Sequence, residues 1–319
     1  MSLTTLIHKG SRLLGFKIER AVPSFGNNLA GYGINKKDYN ETDNKINFKR
    51  LNIEISRKNC LPLLEGYENA VKLVEKKGAR FFIDKDESLN IKIDTLQFRI
   101  NDEEELFILC EIFLEGSYNL ITPTQKEIVL IDIGMNVGIT SMFYASKANV
   151  KKVYSFEPFL PTYTLAMHNI QLNELYAHKV EANNFGLAKE DHELLVNYSL
   201  KQKGRMGLNG LPQESNAVTG DFRKESISLK SVNTAFAKIK DRTDGCFVVC
   251  KMDCEGAEYE IIDSLYETQQ LSLPDVYFIE WHYKSPEYIV SNLINNNYNV
   301  INTTFKALNS GMIYAIKHK

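Results

Sequence analysis

The sequence is short of several things, and each shortage excludes a class of protein. It has almost no net charge, with 38 Lys and Arg against 40 Asp and Glu in 319 residues, so it builds no broad positive field for a nucleic-acid backbone. It has no long apolar run. The stretch through Arg20 carries Lys9, Arg12, Lys17 and Arg20, and its apolar residues are broken by His8, Gly10 and Ser11, too short for a signal core or a membrane span. A cytoplasmic protein with no integral membrane segment is expected. The 5 cysteines form neither a disulfide framework nor a zinc pattern. Cys246, Cys250 and Cys254 instead share strand parity, which predicts small residues lining one face of a sheet. Internal repeats are also lacking.

What is present is one large core's worth of apolar residues, 44% of the chain, enough for one domain with an extension. Up to about residue 100 the pattern is uneven, with short apolar runs such as Leu51 to Ile55 and Phe81 to Ile83 and a polar stretch at Asn40 to Lys49. Residues 1–100 are therefore read as an extension of unassigned role, and 101–319 as the main domain. From Glu103 to Phe113 apolar residues recur at helical spacing after an acidic start, where the helix dipole favours negative charge.

Ile128 to Ile133 is a continuous apolar run, as in a strand buried on both faces. Helical and strand patterns then alternate: Thr140 to Lys147, Val153 to Phe156, Leu160 to Leu172, Lys179 to Ala182, Phe247 to Met252, Tyr259 to Leu265 and Val276 to Ile279. Such alternation predicts a doubly wound α/β domain with a mostly parallel sheet covered on both faces. After a helix from Pro286 to Leu293, Tyr298 to Thr303 and Met312 to Ile316 predict an antiparallel pair at the sheet edge, turned by Asn309, Ser310 and Gly311. Glu193 to Leu200 and Ile227 to Val232 read as extra strands or extended connections, and Lys201 to Lys224 between them as a mobile loop over the site.

Three clusters carry chemistry. The first, Asp132-Ile133-Gly134-Met135-Asn136-Val137-Gly138, joins a buried strand to a helix, where glycines let the backbone turn and approach a ligand. It fails the dinucleotide fingerprint, because Asn136 replaces the second glycine and Ile139 the third. The second is Glu157, closing the next strand where a doubly wound nucleoside site places the acid that accepts ribose hydroxyls. A surface Glu before a proline is the bland alternative, and only the coincidence of the two clusters argues against it. The third, Lys251-Met252-Asp253-Cys254-Glu255-Gly256-Ala257-Glu258, crowds carboxylates and a lysine after a buried strand, which costs stability unless they bind or react. Glu255 and Glu258 also suit a helix N-terminus.

The set D-x-G-x-N-x-G, F-E-P and K-x-D-x-E-G-x-E resembles the FkbM family of S-adenosylmethionine-dependent methyltransferases, over a region from about Glu111 to the C-terminus that includes Tyr118. The resemblance implies a class I methyltransferase fold with a seven-stranded sheet, S-adenosyl-L-methionine as methyl donor, and O-methylation of a sugar or other small-metabolite hydroxyl. It implies that Asp132, Gly134, Asn136 and Gly138 hold the amino-acid part of the donor, Glu157 its ribose, and Asn184 lies near its adenine. Gly186 stands where the family more often has a small residue such as Ala.

Because the donor is already activated, the protein needs mainly to align an acceptor oxygen and manage its proton. Asp253, with Glu280 and His282 at the end of the Val276 strand, is the expected catalytic set. His282 competes with a buried structural histidine, and Trp281, the 1 tryptophan, is either a stacking face for a sugar or core. No metal is assigned in this reading. Two rivals remain: a divalent-metal enzyme using Asp253, Glu255 and His282, and a binding protein that keeps the fold without the reaction. The expected partner is a small molecule, possibly a carbohydrate. Base methylation is disfavoured because Asp253-Cys254-Glu255-Gly256 is not the Asp/Asn-Pro-Pro-aromatic run of enzymes acting on exocyclic amines.

Overall fold

The computed structural model describes residues 29–42, 44–118, 125–207, 222–305 and 309–318. The basic stretch around Lys9 to Arg20 and the middle of the expected loop, 208–221, lie outside the described residues.

The centre is a seven-stranded sheet. In chain order its strands are β1 (Ile128–Ile133), β2 (Val150–Phe156), β3 (Val180–Asn183), β4 (Phe247–Met252), β5 (Val276–His282), β6 (Tyr298–Phe305) and β7 (Ser310–Lys317). They lie side by side as β6-β7-β5-β4-β1-β2-β3. Strands β1 to β5 run parallel, whereas β7 pairs antiparallel with both β5 and β6. The doubly wound sheet with an antiparallel edge is thus present as the alternation implied. Every residue of β1 is buried, because helices cover both faces and leave no solvent side for a polar residue. Each such Ile or Val contributes about 1.5–3 kcal/mol.

Helices α2 (Ile139–Ala145) and α3 (Leu160–Gln171) follow β1 and β2. Helices α4 (Val232–Lys240), α5 (Glu258–Glu267) and α6 (Glu287–Asn295) lie on the other side, sharing a core with Ile131, Cys250 and Tyr277. Cys246 and Cys254 pack against that same core, in line with their shared parity.

A capped helix, α1 (Glu103–Cys110), precedes the sheet. The Asp102 carboxylate accepts the Glu104 N–H while Glu105 accepts the Asp102 N–H, a reciprocal capping box. Glu111–Glu115 continues as a π-type turn.

Before α1 stand two three-stranded antiparallel sheets: Tyr39–Glu41, Lys45–Phe48 and Ile53–Ser56, then Arg80–Ile83, Leu89–Ile93 and Leu96–Arg99. The sequence pattern did not resolve these short strands. They do not stand apart from the main sheet: one core runs from Leu29 through Phe98 to Ile128, Leu130 and Met312. Polar ties reinforce it. The Gln97 and Arg99 N–H groups donate to the side chains of Asn173 and Asn169, at 2.8 and 2.9 Å.

Between β3 and α4 the chain adds another sheet, in which Arg223–Ser231 pairs antiparallel with His192–Tyr198 and parallel with Gly186–Ala188. The stretch expected to be a loop as far as Lys224 therefore re-enters a strand at Arg223, because Tyr198 and Arg223 are ladder partners.

Candidate active site

The cleft lies at the carboxyl ends of β1, β2 and β4, where open α/β sheets bind ligands. It encloses about 60 Å³ and opens to solvent at its mouth. Gly134, Asn136, Glu157 and Asp253 line it together with Gly186 and Glu255.

Gly134 has φ of 80° and Asn136 of 52°, so the chain bends twice in the left-handed region to leave β1. A Cβ on Gly134 would be driven into the carbonyl oxygen of Asp253. Lys251 sets this turn: its buried ammonium donates to the Gly134 carbonyl at 2.6 Å and lies 3.3 Å from Asp132 Oδ1. Asp132 is fully buried and accepts the Ser141 hydroxyl at 2.6 Å. Burial raises the Asp132 pKa and Lys251 opposes that. Asp132 is not among the cleft-lining residues; it faces Lys251 and Ser141 beneath the turn. Gly138 begins α2, with Ala166 of α3 against it, and likewise does not line the cleft.

Glu157 is 5% exposed, and its two carboxylate oxygens accept the N–H groups of Asn136 and Phe159 at 3.0 and 3.1 Å. Burial pushes its carboxyl up to about 8 against the pull of those donors. A carboxylate oxygen has a second lone pair, so each can still accept a ligand hydroxyl. Asn184 donates to the Glu157 and Pro158 carbonyls at 3.0 and 3.3 Å. It fixes the backbone behind Glu157 and does not line the cleft.

The start of the expected cover is described and sits over the cleft: Lys203, Gly204 and Met206 form part of its wall. Lys203 has a fully buried ammonium, 2.5 Å from Asp102, 3.2 Å from Glu105 and 3.3 Å from Glu104 at the N-terminus of α1. The Gly204 N–H also donates to Glu104. Burial works against the Lys203 charge, and its three carboxylates outweigh it, holding the pKa above the usual lysine value. Sequence reasoning missed this lysine, since its partners lie far back in the chain and no motif links them.

Deeper in, Asp253, Glu255 and His282 present ligand-type atoms all within 4.8 Å of one another. Glu258, the first residue of α5, is fully buried and accepts the N–H groups of Cys254 and Gly256 as well as the His282 Nδ1 side at 3.2 Å. It therefore orients the imidazole. The other ring nitrogen faces Glu280 at 3.6 Å and Glu255 at 3.9 Å. Burial disfavours charge on His282, but Glu258, Glu280 and Glu255 outweigh it and push its pKa up to about 11. The ring thus carries its proton at neutral pH. Glu111, unremarked in the sequence as a site residue, is pushed up to about 8 by burial and by the charges of Glu280 and Asp253. Trp281 is buried, its indole N–H donating to Asn302 at 2.9 Å.

Comparison with known proteins identifies the family. Residues 132–300 match the model of the Methyltransferase FkbM domain, a span covering every cluster named above except Glu111 and Lys203's partners on α1. The chain belongs to the FkbM methyltransferase domain family. Methyltransferase 1 of Beauveria bassiana is 25% identical over 183 residues, covering 50% of this chain and 66% of that protein. Methyltransferase sdnD of Sordaria araneosa is 26% identical over 199 residues, covering 56% of this chain and 75% of that protein. Among solved structures, the FkbM methyltransferase from Methylobacillus flagellatus is 13% identical with a TM-score of 0.41, over 65% of this chain and 47% of that one. The match thus spans under two thirds of the Beauveria protein and under half of the Methylobacillus chain. Among the described residues of this FkbM-family chain, no helix is long and apolar enough to cross a membrane.

Proposed function

We propose that this FkbM-family chain transfers a methyl group from S-adenosylmethionine to an oxygen of a small acceptor, a sugar hydroxyl being the leading class. The observation that carries the reading is the convergence of the Gly134 turn, the Glu157 carboxylate and the Asp253 carboxylate on one cleft.

The cleft suits such a donor. Asn136 Oδ1 is buried and finds no hydrogen-bond partner among the described residues, an acceptor suited to the donor's ammonium group. Glu157 has lone pairs left for ribose hydroxyls, and the Glu255 carboxylate on the same wall suits a cationic ligand. When bound, the donor supplies a methyl group already activated by its sulfonium.

The chain's own residues then handle the acceptor. Asp253 is the proton acceptor beside the transferred methyl, and Glu280 stands with it at the end of β5. His282, held protonated between its carboxylates, keeps Glu280 and Glu255 in place and neutralises part of their charge. A base so positioned strengthens its help as the oxygen begins to bond to carbon, without binding the donor more tightly.

Calorimetry on the purified protein tests the donor. S-adenosylhomocysteine is expected to bind and NAD is not; binding of NAD with no response to the donor or its product overturns the reading. A screen of sugar nucleotides and small metabolites with labelled donor then identifies the acceptor.

A further inference from the structure

Asn184, expected beside the donor's base, does not reach the cleft: it donates to the Glu157 and Pro158 carbonyls. The order of residues along the cleft wall offers the base another place. Glu157 accepts the Asn136 N–H on one carboxylate oxygen and the Phe159 N–H on the other, so it stands between the Gly134 turn and the wall from Phe159 onward. With the amino-acid part of the donor at the turn and its ribose on Glu157, the base falls on the Phe159 side.

That side is apolar. Phe159, Met206 and Leu229 share one buried cluster, and all three line the cleft. The flat faces of a heteroaromatic base suit such a wall. Leu229 comes from the Arg223–Ser231 strand, in the sheet that the chain adds between β3 and α4, and its ladder partner is Gly186. Gly186 is not in the left-handed region, so backbone freedom is not what a glycine supplies here. It supplies space. A Cβ at Gly186 would lie 2.6 Å from Leu229 Cδ2 and 3.3 Å from Pro158 Cβ. The first distance is far inside the contact of two carbons, about 3.5–4.0 Å, so Leu229 would have to move, and the space it borders is the cleft.

We propose that Leu229 is the wall against which the donor's adenine packs, and that Gly186 sets the width of this subsite by leaving Leu229 its place. Leu229 is fully buried, with Met206 of the cover in its cluster, and the base reaches it by displacing Met206. Leu229 then touches the ligand, whereas Gly186 is a positioning residue that acts through Leu229. The inference rests on S-adenosylmethionine being the donor.

The test titrates the full chain with S-adenosylhomocysteine by calorimetry. Gly186→Ala should lower the affinity at least about tenfold, the scale of one methyl group too many in an apolar pocket. Leu229→Val should lower it about fourfold, the contact of one buried methylene. In the double variant the shorter valine leaves room for the alanine methyl, so affinity should return to that of Leu229→Val. Parental affinity in Gly186→Ala, or losses that multiply in the double variant, overturns the pairing. A nuclear Overhauser effect between the Leu229 methyl groups and H2 or H8 of the bound adenine is also expected, with leucine methyls alone labelled and the signal assigned by its loss in Leu229→Val. A leucine with a merely structural role gives no such signal, and its absence overturns the wall even where Gly186→Ala does not fold. Failure of S-adenosylhomocysteine to bind the parent protein is a different result: it overturns the donor reading, and this inference with it.

Discussion

Gly134 and Asp253 meet backbone to backbone, with no room between them for a side chain on the glycine. The Asp253 N–H donates to the Ile133 carbonyl at 3.0 Å, so the turn after β1 and the turn after β4 lock together at the floor of the cleft. Gly134→Ala adds both a clash with the Asp253 carbonyl and a left-handed backbone that alanine disfavours. The expected loss is about 2 kcal/mol or more, read as a lower urea midpoint. An unchanged midpoint would show that the two turns can part freely.

Glu157 should make ligand binding depend on pH. With its carboxyl near 8 before binding, ribose hydroxyls that donate to it favour the charged form, so binding releases a proton at neutral pH. S-adenosylhomocysteine affinity should rise about tenfold per pH unit from 6 towards 8 and then level off. The sign for folding is opposite: a carboxyl raised from 4.5 to about 8 is easiest to bury protonated, so its contribution to stability falls as pH rises through that window. A binding profile flat between pH 6 and 9 would remove Glu157 from the ribose.

Lys203 ties the cover to α1, and Lys203→Met should loosen it. If residues 200–207 swing outward, Asp102 and Glu104 return to water and buried Glu105 keeps the N–H groups of Asn101 and Asp102, which limits the cost of the broken pairs. Losing one charged hydrogen-bond set of about 1.5–3 kcal/mol predicts a roughly 10- to 100-fold faster release of S-adenosylhomocysteine. Hydrogen exchange over 200–207 should quicken in step. Exchange as slow as in the parent protein refutes the latch.

Asp253→Asn keeps the shape and removes the charge. Turnover should fall about 100- to 10,000-fold, the usual range for a general base, while S-adenosylhomocysteine affinity holds. Near-parental turnover with a confirmed acceptor discards the role of Asp253.

The sequence by itself determined the central layer. A run such as Ile128 to Ile133 has no solvent face, and alternation with helical periods leaves a parallel sheet as the arrangement that buries it. It also marked Gly134, Asn136, Glu157 and Asp253, because strand ends in such a sheet are where ligands bind. The short strands before α1 escaped notice, since each buries its residues only against partners it does not contain.

Only the tertiary structure separated residues that face the cleft from those that hold it. Asp132 and Asn184 share motifs with cleft residues, yet one is held by Lys251 and Ser141 and the other by the Glu157 and Pro158 carbonyls. It alone joined Lys203 to Asp102, Glu104 and Glu105, and set Glu258 behind His282. Periodicity reports which face of an element is apolar, whereas the pairing of buried charges depends on which elements pack together, and that is fixed only when the whole chain has folded.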